Sequence, residues 1–509
     1  MLVTPPQTPV IMSPFPMKNS VVSLVGGLAL AFTNGLPAQT FSVLHHFGGF
    51  PDGRAPQAAL VAAGNTLFGA ADSGGVWSSG TYFKLNKDGS GLATLHDFTL
   101  LINETNSDGA YPDSTPILSG NTLYGTAYHG GFSGNGTVFK LNTNGTGFTV
   151  LHHFAATALN HLGAYTNAQG ANPESGLVVA DNFVFGTTEN GGTSGMGAVF
   201  RVGVNGTGFT NLHSFSGSEG DTPEALVLAG NQLYGTAAGL NSGVGTVFKL
   251  NTNGTGFMIL RTFVATNYVT PLDGPGDEPA YTNVAGALPT SLLASGTTLY
   301  GTTFCGGANG NGTVFRMQLD GSGFTVLHNF ASSATNQSGL YTNNGGAHPI
   351  QFSGLTISGN TLYGTTYLGG TNGNGTIFAL TTNGSEFAIL YHFNTTTGVN
   401  STNTDGANPF AGLILSDSTL FGTATAGGNT GNGTIFKLTT APQLNITRVN
   451  SSVMLTWPTT AVGFALESTT NLAAPSGWVT TTPAPTLVNG LKTVTNALTA
   501  TPRFYRLKH

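Results

Sequence analysis

The chain has 509 residues, 75 of them glycine, with only 7% charged side chains, one cysteine and a formal net charge of -6. A negative balance argues against a basic nucleic-acid binder, and a lone Cys305 excludes an intramolecular disulfide and reads as packing. Low charge with abundant Gly, Ser, Thr and Asn fits an extracellular β protein better than a cytosolic enzyme.

Residues 1–38 read as a secretion signal, with residues 1–16 as a spare upstream start. Met17-Lys18 supplies a short positive region, Val21 to Phe32 an apolar run, and Leu36-Pro37-Ala38 a cleavage site before Gln39. About 12 apolar residues are too few to cross a hydrocarbon core of about 30 Å. The expectation is a secreted or cell-surface protein with no membrane span in the mature chain.

From Phe41 to Leu438 three phrases recur seven times in fixed order. The first, L-[YF]-G-T, has its glycine at Gly69, Gly125, Gly186, Gly235, Gly301, Gly364 and Gly422. The second, G-T-V-F-K-L, begins at Gly80, Gly136, Gly197, Gly245, Gly312, Gly375 and Gly433. The third, F-T-V-L-H-x-F, ends at Phe47, Phe98, Phe154, Phe215, Phe263, Phe330 and Phe393. Each phrase is β-branched or aromatic and bounded by Gly or Asn, which is strand chemistry. A fourth apolar run precedes the first phrase, as at Ala59, Pro116, Gly176 and Gly412. We call the four strands a to d. A repeat of this length without helical periodicity predicts a seven-bladed β-propeller over residues 39–440. The last unit lacks strand d, and a lone strand d opens the array at Phe41–Phe47. Pairing it with Gly433–Leu438 would close the ring and remove two open edges.

Strands a and b join through tight turns, as at Gly120-Asn121 and Gly359-Asn360; c and d join through hairpin signals such as Asn144-Gly145 and Asp320-Gly321. The b–c loops, G-G-x-x-G-x-G, and the long d–a loops therefore share the opposite face. The d–a loops run Thr99 to Tyr111, Ala155 to Asn172, Val264 to Leu288, Ala331 to His348 and Asn394 to Asn408. Long loops on a rigid scaffold are where function usually sits. A proline closes each d–a loop, at Pro56, Pro112, Pro173, Pro223, Pro289, Pro349 and Pro409. It reads as the first residue of strand a, where no ladder bond is lost.

Residues 441–509 change character. Six short alternating runs follow, with Trp457 early and Tyr505 late, a pattern similar to a small fibronectin-III-like β-sandwich. Arg448, Lys492, Arg503, Arg506 and Lys508 stand against Glu467 alone. The fold class is thus all-β: a propeller closed by an N-terminal strand, then a small β-sandwich.

The phrase L-Y-G-T-x-x-x-G-G-x-x-G-x-G-T-V-F-K-L with F-T-V-L-H-x-F resembles the GloVer tandem-repeat family of secreted bacterial proteins. The resemblance implies an exported or surface protein with a C-terminal sorting or attachment segment; it brings no catalytic motif. The ending N-L-x(5)-W with F-Y-R-L, from Asn471 to Trp478 and Phe504 to Leu507, is similar to C-terminal modules of exported proteins.

Positions uniform across the copies read as scaffold; positions that break the symmetry on the long-loop face read as candidates. The ends of strand b vary most: Asp72, Tyr128-His129, Glu189-Asn190, Phe304-Cys305 and Tyr367, with Trp77 in the first b–c loop. The candidate ligand-binding set is Asp72, Trp77, Tyr128, His129, Glu189 and Tyr367. The d–a loops carry Asp52, Glu104, Asp108, Glu219, Asp221, Asp273, Asp277, Glu278 and Asp405, whose oxygens would suit Ca²⁺ if they converged, although no D-x-D-x-D-G loop is present. Otherwise they are solvated loop charge, and no metal site or cofactor is assigned. The L-H-x-F histidines (His45, His96, His152, His213, His328) would be spread around a ring, too far apart for one ion, and read as structural. The strand-c cations Lys84, Lys140, Arg201, Lys249, Arg316 and Lys437 read as stems on the sheet with heads in solvent.

Two functional readings compete, beside a purely structural envelope protein. The first is a non-catalytic module binding a polysaccharide or cell-envelope partner on the long-loop face. The second is a propeller-type polysaccharide lyase or glycoside hydrolase, with Tyr128, His129 and Tyr367 or a Glu189–Asp72 carboxylate pair as its machinery.

Overall fold

Each L-Y-G-T glycine lies across the ladder from the phenylalanine of strand c, Gly69 from Phe83 and Gly422 from Phe436. A Cβ at either glycine would come 2.6 Å from the ring Cζ. Glycine is needed there so that the ring can lie flat on strand b. This pairing recurs in every repeat and builds one sheet each time.

The computed structural model describes residues 21–24 and 40–508, apart from short stretches at 162, 175, 241–242, 265–267, 270–279, 282, 337–339, 350–353, 441, 443, 460, 472–476, 489–490 and 500–502. No α-helix occurs among the described residues. The chain divides into two units, Gln39–Thr439 and a second comprising Met1–Ala38 with Thr440–His509.

Among the described residues the first unit holds seven four-stranded antiparallel sheets. Sheets one to six run a-b-c-d in chain order. Sheet seven takes Ile414–Ser416, Thr419–Ala424 and Thr434–Thr439 as a to c, and Phe41–His46 as its fourth strand. The register is Phe41↔Leu438 to His46↔Thr434. Every c–d pair is bulged at the leucine of V-L-H, as between Val43 and His45 and between Val150 and His152.

Consecutive sheets share apolar cores. Tyr82 and Phe98 of sheet one pack with Leu123 and Phe139 of sheet two. Phe41 stacks on Tyr391 of sheet six, centroids 3.9 Å apart. Phe421 and Ile435 of sheet seven pack with Leu60, Leu67 and Phe83 of sheet one. A fully buried phenylalanine contributes about 1.5–3 kcal/mol, so these rings carry much of the adhesion between sheets.

The prolines correct the sequence expectation. Pro223 alone begins its strand, Pro223–Ala229; Pro289 lies inside Asn283–Ser295, and Pro56 and Pro112 precede strands that start at Val61 and Ile117. What repeats is packing on the previous sheet. The G-T-V-F glycine lies under the next sheet's proline: an added Cβ would come 2.6 Å from Pro173 Cδ at Gly136 and 2.6 Å from Pro56 Cδ at Gly433. The residue before each proline is left-handed, with φ of 50–58° at Ala55, Tyr111, Asn172, Thr222, Leu288, His348 and Asn408. Its amide donates to the previous b–c loop, as Tyr111 N to Ser79 O (2.9 Å) and Ala55 N to Asn432 O (2.9 Å). Its carbonyl accepts from the residue just past strand b, as from Asp72, Tyr128, Glu189 and Tyr367. Non-glycine residues in this region are costly and persist only where surroundings over-determine them.

Three of the six strand-c cations depart from expectation. Lys140 Nζ donates to Val204 O (2.8 Å), and the Arg201 and Arg316 guanidinium groups donate to Thr252 O and Thr382 O (3.4 Å each), all in the next sheet's c–d turn. Their heads close a seam between sheets, because the sheets stack closely enough for a turn carbonyl to replace water.

In the second unit, two four-stranded sheets pack around Trp457, Leu455, Val494, Leu466, Tyr505 and Leu507. Beyond the six runs counted in the sequence, Thr486–Val488 forms a further strand, short and exposed. Glu467 accepts two bonds from Arg506 (2.9 and 2.7 Å) and lies 3.4 Å from Lys508. The backbone of Val21–Leu24, inside the expected leader, pairs antiparallel with Arg503–Arg506. The rest of that leader lies outside the described residues.

Candidate functional site: an acidic cluster at the strand-b ends

The left-handed residue before each proline turns the chain so that two positions in each sheet come to one end: the residue past strand b and the residue after the proline. In sheets one to three the first are Asp72, Tyr128 and Glu189. The second are Asp113 and Glu174 in sheets two and three, with Glu224 following Pro223 in sheet four.

Tyr128 Oη donates a short bond to Glu189 Oε2, joining sheets two and three. Asp113 is buried at 8% exposure and its Oδ1 has no hydrogen-bond partner. Burial, then the neighbouring charges of Glu174, Asp72 and Glu189, hold its carboxyl well above the usual range. Burial and then Glu189 push Glu174 up to about 8. Burial pushes Asp72 up to about 6, against the opposing pull of Ser73 and Arg54. Burial, the bond to Glu189 and the surrounding carboxyls push the Tyr128 phenol up. Like charges brought this close retain protons near neutrality, so the cluster presents acid O–H donors as well as acceptors.

The equivalent positions in sheets five to seven hold no carboxylate: Phe304, Tyr367 and Thr425 past strand b, and Thr290, Ile350 and Phe410 after the proline. Phe304 lies 4.8 Å from the His348 ring, and Tyr367 packs edge-on against Phe410 at 5.8 Å. Burial pushes His348 down to about 4, keeping it neutral.

Of the predicted residues, the fold brings Asp72, Tyr128 and Glu189 into one cluster. His129 packs edge-on to Tyr128 (4.6 Å) and Tyr111 (5.7 Å). Trp77 is half exposed in the first b–c loop. Tyr367 belongs to sheet six, with Phe410. Asp113 and Glu174 were not singled out in sequence. Their signal was the position after the repeated proline, occupied by Gln57, Asp113, Glu174, Glu224, Thr290, Ile350 and Phe410.

Four of the d–a loop carboxylates bond within their own loop or to the strand d that it leaves. Asp52 bonds His45 Nε2 (2.6 Å), Asp108 bonds His96 Nε2 (3.0 Å) and Thr99 N (3.1 Å), Glu219 takes Ser216 N (3.1 Å), and Asp405 takes Tyr391 Oη (2.7 Å) and Asn394 N (3.0 Å). They pin the loop as it leaves strand d. Asp273, Asp277 and Glu278 lie outside the described residues. Among the described residues no group of three or more His, Cys, Asp or Glu side chains is arranged to hold a metal ion. The L-H-x-F histidines are structural: His96, His152, His213 and His328 each stack on a phenylalanine of the next sheet at 3.6–3.7 Å. Burial pushes His152 and His328 down to about 4. Cys305 is buried with Ala287 and Leu288.

The Gloeobacter/Verrucomicrobia repeat model matches residues 25–165, 155–276 and 280–461. The chain belongs to the Gloeobacter/Verrucomicrobia repeat family. No curated protein matches it in sequence. It is similar to propeller-like solved structures. One is an oligogalacturonate lyase in complex with manganese, at 10% identity over 83% of this chain and 98% of that one, TM-score 0.47. A second is a puromycin hydrolase, at 10% identity over 80% and 58%, TM-score 0.46. A third is a putative 6-phosphogluconolactonase from Bacteroides fragilis, at 15% identity over 86% and 98%, TM-score 0.42. No helix among the described residues is long and apolar enough to cross a membrane.

Proposed function

We propose that this chain is an exported, closed seven-bladed β-propeller that binds a glycan on the face carrying the b–c and d–a loops. In this reading the leader is removed, and the C-terminal fibronectin-III-like module attaches the protein to the cell envelope. The observation that carries it is the asymmetric strand-b end. Asp72, Asp113, Glu174, Glu189 and Tyr128 offer mixed donors and acceptors, while Phe304, Tyr367 and Phe410 offer ring faces. A few convergent polar groups with perturbed titration beside aromatic surface are the usual makings of a binding site. Sugar hydroxyls need such mixed partners, and sugar C–H faces pack on rings. Packing of sheet seven on sheet one, with Phe41–His46 as its fourth strand, supports ring closure.

A glycoside hydrolase is the second reading. Glu174, held protonated near neutrality beside Glu189, has the character of a general acid. A lyase that used Tyr128 as base is less well supported, since its phenol is pushed up. The test is a glycan array with the purified mature protein, read for both retention and released product. Retention without product supports the binding module; product release moves the protein to the hydrolase reading; no retention on any glycan overturns both.

A further inference from the structure

We propose that the groove beside sheet three is a sugar subsite that seats one pyranose ring on Tyr165, an inference that rests on the glycan-binding reading. The d–a loop of sheet three is not irregular, as its sequence suggests. It folds into a small hairpin in which Ala158–Leu159 pairs with Tyr165–Thr166. The Asn of the Y-T-N run pins it: Asn167 Nδ2 donates to Ala155 O and Gly170 O (2.9 Å each), and Gly170 N donates back to Asn167 Oδ1 (2.7 Å). The amide of Y-T-N is therefore spent on the loop, while its tyrosine is left out in solvent, 62% exposed.

Between this hairpin and the b–c loop lies a groove of about 500 Å³, lined by Tyr165, Thr157, Asn172, Asn190, Ser194 and Met196. The volume is within the range of about 300–1,000 Å³ usual for ligand sites. Its wall is rigid. Asn172 is the left-handed residue before Pro173, and its Nδ2 donates to Tyr128 O (3.2 Å). Asn190 is bridged to Ala171 through both backbone bonds (2.8 and 3.0 Å), and its Nδ2 faces Asn172 Oδ1 at 3.4 Å. Each amide keeps donor or acceptor capacity beyond these bonds. A ring face opposite fixed amides suits a neutral sugar, with its C–H face on Tyr165 and its hydroxyls on the asparagines. The groove also borders the acidic cluster, because Asn172 accepts Glu189 N (2.9 Å) through its carbonyl. One oligosaccharide could therefore run from Tyr165 toward Glu189.

Sheet six contains a natural control. It carries the same hairpin, Ala334–Thr335 with Tyr341–Thr342, but His348 and Leu368 stand where sheet three has Asn172 and Asn190. The amide pair is absent there, so Tyr341 is expected to contribute nothing.

The experiment is affinity electrophoresis of the mature protein through gels containing soluble xylan, mixed-linkage β-glucan or galactomannan, with thermal melts to confirm folding. For a polysaccharide that retards the native protein, Tyr165→Ala should weaken binding about tenfold, the upper end for one aromatic contact. Tyr165→Trp should preserve binding, Asn190→Ala should weaken it, and Tyr341→Ala should leave it unchanged. Full retention by folded Tyr165→Ala or by Asn190→Ala overturns the subsite while leaving the glycan reading intact. Equal losses from Tyr165→Ala and Tyr341→Ala overturn it as well. No retardation of the native protein in any gel overturns the subsite together with the broader reading.

Discussion

Gly433 lies directly beneath Pro56: a Cβ on the glycine would come 2.6 Å from the proline Cδ, and its φ is +96°. These residues are 377 positions apart in sequence and join sheet seven to sheet one. The same contact joins every other consecutive pair, with Gly136 under Pro173 and Gly375 under Pro409. Two of the repeat's invariant residues thus form one joint, half of it supplied by each neighbour.

Gly433→Ala should therefore be costly. The added methyl meets the proline ring and the Ala424 carbonyl, and the positive φ is strained for any L side chain. We expect a loss of about 2–4 kcal/mol, typical of overpacking combined with backbone strain. Gly120→Ala is the comparison: its φ is +59° but nothing lies within 4 Å of the added Cβ. It should cost about 1 kcal/mol, from strain alone. Chemical denaturation of both variants checks this, and equal losses would show that the joint does not matter.

Deleting residues 39–47 should do more than shorten the chain. Phe41 stacks on Tyr391 and touches Phe393 and Phe436, and Phe47 is fully buried against Phe83. Their loss would expose the Thr434–Thr439 edge and two aromatic clusters, a template for edge-to-edge association. The truncated protein should elute as aggregates in size-exclusion chromatography. Adding a peptide of residues 39–49 should restore a monomer-sized peak. A monodisperse truncation product with an unchanged melt would contradict this role for the strand.

Stability should fall as pH rises from about 6.5 to about 8.5. Asp72 and Glu174 have folded values raised to about 6 and about 8, from ordinary values of 3.8 and 4.5, and Asp113 is raised as well. Groups raised by folding contribute fully below their unfolded values, and the contribution is lost as pH climbs through the folded ones. Asp52 and Asp108 work the other way: despite burial, their bonds to His45 and His96 lower them, so their contribution disappears as pH falls through the folded values. The buried histidines act in the same sense: His152, His328 and His348 are lowered to about 4 from 6.5, so their contribution is present above 6.5 and lost as pH falls through about 4. The maximum should therefore lie near pH 6.5, where the folded histidines are neutral and Glu174 still holds its proton. Thermal melts across pH 3 to 9 test the profile, and Asp113→Asn with Glu174→Gln should flatten its alkaline side. A melting temperature that stays level or climbs between pH 6.5 and 8.5 would rule out proton retention in the cluster.

Much of this was legible in the chain because strands advertise themselves locally. L-Y-G-T and G-T-V-F-K-L carry their own pairing rule, glycine opposite phenylalanine, and seven copies make the pattern unmistakable. The surplus strand d at Phe41 could be matched to the missing one by counting. The site was only half legible. Asp72, Tyr128 and Glu189 stood out because they break symmetry at the end of a strand whose direction alternation makes plain. Asp113 and Glu174 did not, because they follow a proline outside any strand, and nothing local says where such a side chain points. The cations of strand c misled for a related reason: whether Lys140 meets water or Val204 depends on how closely the next sheet stacks.

By itself, the sequence determined the seven sheets, their strand order and the residues that could vary, since these follow from backbone pairing between neighbours in the chain. The tertiary structure alone decided which varying residues meet. Asp72, Asp113 and Glu174 belong to three different sheets, and the raised titration of their carboxyls depends on inter-sheet distance and burial. Those are set by the glycine–proline joints and the left-handed residues before them, contacts between repeats that no single repeat contains.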